Sequence, residues 1–151
     1  MAARKPVSVE LKIPSTLGCE KYAMDLATSL AKQVGLSADR IADLRTAVSE
    51  ACTNAIEHGH QERERHKVVL LMSTTDSALE VSVRDHGMAF EVPDEAPDLS
   101  AVIEGEKRAR GWGLFLIRSL VDEVEFKPLP KGGNVVRMVI HIDDDQGNGE
   151  E

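Results

Sequence analysis

Two strand-like runs, Lys67–Thr74 and Ala78–Arg84, stand three residues apart, and the second alternates cleanly between apolar and polar residues. A second couple, Val124–Lys127 and Asn134–Ile142, closes around Pro130, Gly132 and Gly133. Such alternation marks strands with one buried face, and strands that arrive in couples with short links pair antiparallel. Val7, Val9, Leu11 and Ile13 form a further alternating run, ended by Pro14. Between the strands lie helical patterns: Ser15–Val34, stopped by Gly35, then a helix from the N-cap Ser37 to about His58, closed by Gly59. A third helix is expected from Trp112 to about Leu120. The stretch from about His86 to Arg110, with Pro93, Pro97 and Gly105, has no clear period and a length often used for lids. The order predicts an α+β fold: a two-layer sandwich whose mixed, mostly antiparallel sheet is covered by helices on one face.

At 151 residues the chain is expected to hold one domain, residues 1–142, followed by an acidic, disordered tail over 143–151. The net charge is −8, yet the last nine residues hold five acids and no bases, so the body carries 18 basic and 21 acidic residues. The acidity is mainly a tail property. It argues against nucleic-acid binding, which needs a basic footprint. Cys19 and Cys52 show no metal-ligand spacing and read as reduced thiols of a cytoplasmic protein. The N-terminal MAARKPVSVELKIP lacks the apolar core of a secretory leader, and the longest apolar run, Val68–Met72, is too short to span a membrane.

Glu50, Asn54 and His58 in SEACTNAIEHGH repeat every four residues, which places them in one stripe along the second helix. The core face of that helix is Ile41, Leu44, Val48, Ala51, Ala55 and Ile56, and the small residues Ala47 and Ala51 border the stripe. A carboxylate there can act as a general base, and an amide oxygen one turn on suits a hard cation such as Mg²⁺. The same stripe can equally be a solvated helix face.

Two other segments have chemical potential. Asp85-His86-Gly87-Met88-Ala89-Phe90 follows an alternating strand, where a carboxylate can receive a ligand amine while Gly87 lets the ligand approach the backbone. Asp and Gly are also ordinary turn residues. The third segment, Arg108-Ala-Arg110-Gly111-Trp112-Gly113-Leu114, puts glycines at the expected mouth of a helix, behind Lys107, Arg108 and Arg110. Free N–H groups and the helix dipole favour a phosphate at such a place. A lone Gly-x-Gly is weak evidence, and neither the P-loop nor the Rossmann fingerprint is present. In combination the three segments occur in an order that can enclose one Mg·ATP.

With these motifs the chain resembles the GHKL (Bergerat-type) ATP-binding family and, within it, the bacterial anti-sigma-factor serine/threonine kinases of the RsbW and SpoIIAB type. SEACTNAIEHGH corresponds to the N-box, DHGMAF to the first glycine box and RGWGLFLIRSLVDEVEF to the second, over about residues 7–142. The resemblance implies that Glu50 is the general base and that Asn54 holds Mg²⁺ against the triphosphate. It implies that Asp85 receives the adenine amino group, with Gly87 and Phe90 beside it. Arg110, Gly111, Trp112, Gly113 and Leu114 would then surround the phosphates, and His58 would have a supporting role.

Ala89 replaces the second glycine of broader GHKL members, in keeping with the narrower group. Asn134, after Gly132 and Gly133, stands where many relatives carry threonine, so a water-mediated adenine contact falls to it. The implied activity is phosphorylation of a small STAS-type anti-sigma antagonist, with capture of a sigma factor, in a homodimer. Alternatives are a nucleotide-dependent binding module without kinase activity and a switch kinase that activates a phosphatase. Trp112 is the only tryptophan. Its fluorescence is expected to change on titration with Mg·ATP, and a flat titration would remove it from the nucleotide's surroundings.

Overall fold

A computed structural model of the chain describes residues 5–59, 67–86 and 106–142, of which 58, 59 and 106–112 are described as backbone only. Five strands, β1 (Val7–Pro14), β2 (Lys67–Thr74), β3 (Ala78–Asp85), β4 (Glu123–Pro128) and β5 (Asn134–His141), form one sheet in the order β1-β2-β3-β5-β4. Every neighbouring pair is antiparallel, in keeping with the mostly antiparallel sheet that the sequence predicts. The register follows the alternation. Ile13 lies opposite Val68, Leu70 opposite Val83, and Val83 opposite Val136, and these residues are buried on one face. The other face shows Glu10, Lys12, Leu71, Arg84 and Lys127 to solvent.

Three helices carry the matching apolar faces: α1 (Glu20–Gln33), α2 (Ala38–Asn54) and α3 (Glu106–Leu120). Alanines 23, 27 and 31 of α1 and 47 and 51 of α2 are buried, and their small size lets the two packed helices approach closely. Leu44, Ile56, Leu70, Met72, Leu79, Leu114, Ile117, Met138 and Ile140 fill the layer between helices and sheet. Each such large side chain contributes about 1.5–3 kcal/mol by leaving water. Among the described residues no helix is long and apolar enough to cross a membrane.

The helix ends show where local chemistry overrides periodicity. The first helix was expected from Ser15 but starts at Glu20. Gly18 has φ +103°, the Cys19 N–H donates to the Thr16 carbonyl, and the Glu20 carboxylate takes the Gly18 N–H at 2.7 Å. At the other end Gly35, at φ +85°, donates to the Lys32 carbonyl while Leu36 N–H reaches Ala31, a Schellman closure with Leu36 buried. Ser37 then caps α2 by accepting the Arg40 N–H at 3.2 Å. Arg40 itself ties α2 to the end of α3, donating to the Leu120 carbonyl at 3.3 Å and to Asp122 at 3.0 Å.

Past Asn54 the second helix widens into a π turn, Ala55–Gly59, which packs against β3. The i→i+5 pattern of that turn changes the angular step, so His58 does not continue the straight α-helical line through Glu50 and Asn54. The third helix starts six residues before the expected Trp112. The tail over 143–151 lies outside the described residues.

The β4–β5 connection is closed by Leu129 N–H to the Gly133 carbonyl at 2.9 Å, with Gly132 and Gly133 at φ +100° and +96°. A Cβ on Gly133 would overlap the Asp85 carbonyl oxygen. Gly133→Ala therefore combines left-handed strain with a backbone collision, and a loss of about 2 kcal/mol or more is expected in urea melts. An unchanged midpoint would show that the turn can rearrange freely.

Candidate functional site

Glu50 and Asn54 sit on the side of α2 that faces α3 rather than in open water. Glu50 is half-buried, and Asn54, at 8% exposure, is nearly closed off among Ala47, Ala51 and Ala55. The Asn54 side-chain nitrogen is buried and has no hydrogen-bond partner among the described residues. A buried amide without a partner is costly, and a ligand that satisfies it recovers that cost. Gly113 of α3 closes the other side. A Cβ placed there would lie 2.5 Å from Glu50 Oε1 and 3.4 Å from Asn54 Nδ2. Leu114 and Ile117, next on α3, are buried in the core and fix the helix against α2.

Glu50 titrates above the usual carboxylate range. Burial is the larger cause, and the like charge of Glu57 adds to it. Glu57 is exposed and lies two helical turns beyond Glu50. The four-residue spacing that marks Glu50 and Asn54 passes over it; the signal that finds it is the seven-residue interval. Burial likewise raises the thiol pKa of Cys52, so this fully enclosed cysteine stays protonated and unreactive.

A second cluster forms where β3 and β5 end together. Asp85 and Asn134 face each other in the register, at 5% and 1% exposure, and Asn134 Nδ2 donates to Asp85 Oδ1 at 3.3 Å. Gly133 presses against the Asp85 backbone, a role visible in sequence only as a glycine pair before a strand. The π turn after Asn54 packs on β3, the strand that ends at Asp85.

The remaining expected residues divide simply. Gly87 and Phe90 lie outside the described residues, and His58, Arg110, Gly111 and Trp112 are described only as backbone. Because α3 begins at Glu106, Gly111–Leu114 lie within the helix and not at its mouth. Their N–H groups belong to the helical ladder in this form, which corrects the picture of free donors at a helix start.

Asn54 supplies one neutral oxygen, and Mg²⁺ takes few protein ligands and completes its shell with water and phosphate. Among the described residues no three His, Cys, Asp or Glu side chains gather, at this site or at any other.

The raised Glu50 pKa makes a stability prediction with a definite sign. Between the ordinary carboxylate pKa and the raised folded value, the native state holds more protons than the unfolded chain, so stability falls as pH rises through that window. Above the window ionised Glu50 destabilises the fold; below the ordinary value its penalty is absent. Glu50→Gln is expected to raise Tm at about pH 7.5 and to give no gain at about pH 4. Thermal melts at the two pH values test this, and an equal gain at both would refute it.

The sequence as a whole and the architecture agree with known proteins. The profile of the histidine kinase-like ATPase domain matches residues 13–140. The anti-sigma F factor of Oceanobacillus iheyensis is 31% identical over 119 residues, covering 79% of this chain and 82% of that protein. The serine-protein kinase RsbW of Bacillus subtilis is 32% identical over 120 residues, covering 77% of this chain and 75% of that protein. In three dimensions the crystal structure of the RsbU and RsbW domains of a Mycobacterium tuberculosis protein superposes with a TM-score of 0.64 at 20% identity. The match covers 89% of this chain and 32% of that one, and it supports the fold alone. With a half-buried carboxylate beside a buried amide on α2, and a family profile spanning nearly the whole described fold, this chain belongs to the histidine kinase-like ATPase domain family, in the group of anti-sigma factors and RsbW serine kinases.

Proposed function

We propose that this protein is a Mg·ATP-dependent serine/threonine protein kinase. In this reading it phosphorylates a small STAS-type antagonist and captures a sigma factor, as a cytoplasmic homodimer. The observation that carries the reading is the pairing of half-buried Glu50 with Asn54, whose buried side-chain nitrogen has no partner among the described residues and can donate to a phosphate oxygen. A carboxylate whose proton affinity is raised by burial is a better base for a hydroxyl than a solvated one. The names of the relatives, anti-sigma F factor and serine-protein kinase RsbW, support the choice of substrate and partner classes.

In the proposed reaction Glu50 takes the proton of a protein serine or threonine hydroxyl as its oxygen bonds to the γ-phosphorus of ATP. The bond from that phosphorus to the β,γ-bridging oxygen breaks, and ADP leaves. Transfer of this kind is mainly positioning and charge neutralisation. Asn54 would hold Mg²⁺, which when bound neutralises the triphosphate oxygens. Asp85, held by Asn134, would accept the adenine amino group, with Gly87 and Phe90 along the base. Arg110, Gly111, Trp112, Gly113 and Leu114 would meet the phosphates; donation from their N–H groups requires the carbonyls one turn earlier, residues 106–110, to release them, which leaves Gly113 and Leu114 in place. His58 would support the α2 end of the site.

Incubation with labelled ATP, Mg²⁺ and extract of the protein's own cells is expected to label one small protein. Glu50→Gln should lower that transfer by about 10²–10⁴-fold while retaining ATP binding. Asp85→Asn should abolish nucleotide binding. Undiminished transfer by Glu50→Gln would remove Glu50 as the base. Nucleotide binding without any label would favour a pure binding module.

A further inference from the structure

The contact between Gly113 and Glu50 has a role that phosphate binding does not explain. A glycine is usually assigned to a nucleotide site because it lets the ligand approach the backbone. At Gly113, however, the direction a side chain would take is filled by protein: first Glu50 Oε1, then the Asn54 amide. The backbone requires no glycine here, since Gly113 lies within regular α3 and is not among the positive-φ glycines. Alanine would even favour the helix. The missing side chain therefore serves the space beyond it, and that space holds the carboxylate.

We propose that Gly113 is a positioning residue for Glu50: by presenting no side chain, it forms the wall of the slot that holds the carboxylate beside Asn54. The inference rests on the reading of Glu50 as the base and deepens it. Two further features fit. Leu114 and Ile117, buried immediately after Gly113, hold this wall at a fixed height over α2. The exposed Glu57, the charged group that acts on Glu50 from the end of its own helix, repels the carboxylate from that side, while Gly113 presents no charge from α3. Glu50 thus lies between a like charge and a surface without a side chain.

A Cβ at this position meets the far end of a flexible side chain and no backbone. Gly113→Ala is accordingly expected to fold, with Glu50 displaced from its slot. A misplaced base of this kind costs on the order of 10²-fold in kcat, while KM for ATP changes little. Stability supplies a readout independent of activity. Adding Gly113→Ala should raise Tm clearly in a Glu50→Ala background, where the slot is empty and only the helical preference of alanine acts. In the wild-type background the same substitution should raise Tm less or lower it.

Equal Tm changes in the two backgrounds would overturn the contact. Retained kcat with a raised KM would overturn the positioning role and leave Gly113 to the nucleotide alone. Absence of phosphotransfer by the wild-type protein would instead overturn the kinase reading, and the two-background melts would still decide the contact.

Discussion

The arrangement depends on one constraint: α2 must bury two faces at once. Leu44, Val48, Cys52 and Ile56 bind it to the core, and the side bearing Glu50 and Asn54 is closed by α3. A carboxylate and an amide placed between helices lose water without gaining full replacement, which is expensive. The protein limits that cost by leaving Glu50 half-exposed and by keeping a glycine where α3 passes over it. The raised proton affinity of Glu50 is the electrostatic expression of the same compromise.

Most of the strand framework was legible because alternation is a direct image of a sheet with one wet face. Lys67–Thr74 has the expected bounds, β3 and β5 differ from expectation by one residue at one end, and β4 by one residue at each end. Helix ends were harder. The start of α1 was hidden because the turn at Gly18 displaces the helix past residues that otherwise suit it. The start of α3 was hidden because residues 106–111, EKRARG, offer no apolar residue except one alanine to reveal a helical period.

The candidate site divides along similar lines. Glu50 and Asn54 were found by spacing, since four residues is close to one helical turn. The facing of Asp85 and Asn134 could not be read that way, because it is created by β3 pairing with β5 across 49 residues of chain. Glu57 escaped attention because an acid on a helix surface is ordinary until another acid is buried beneath it. Gly133 escaped because the atom it makes room for belongs to a different strand.

The third helix has two unlike ends. Its C-terminal half is fastened by buried Leu114 and Ile117 and by Arg40, which grips the Leu120 carbonyl and Asp122. Gly111 and Gly113 fall where that fastening begins. A rod clamped beyond its weakest segment bends there and transmits little to the clamp. Displacement of the residues before Gly113 is then passed only weakly to the residues after it. The fold can keep its cohesion while the first half of this helix changes shape, so durability and responsiveness can be altered separately within a single helix.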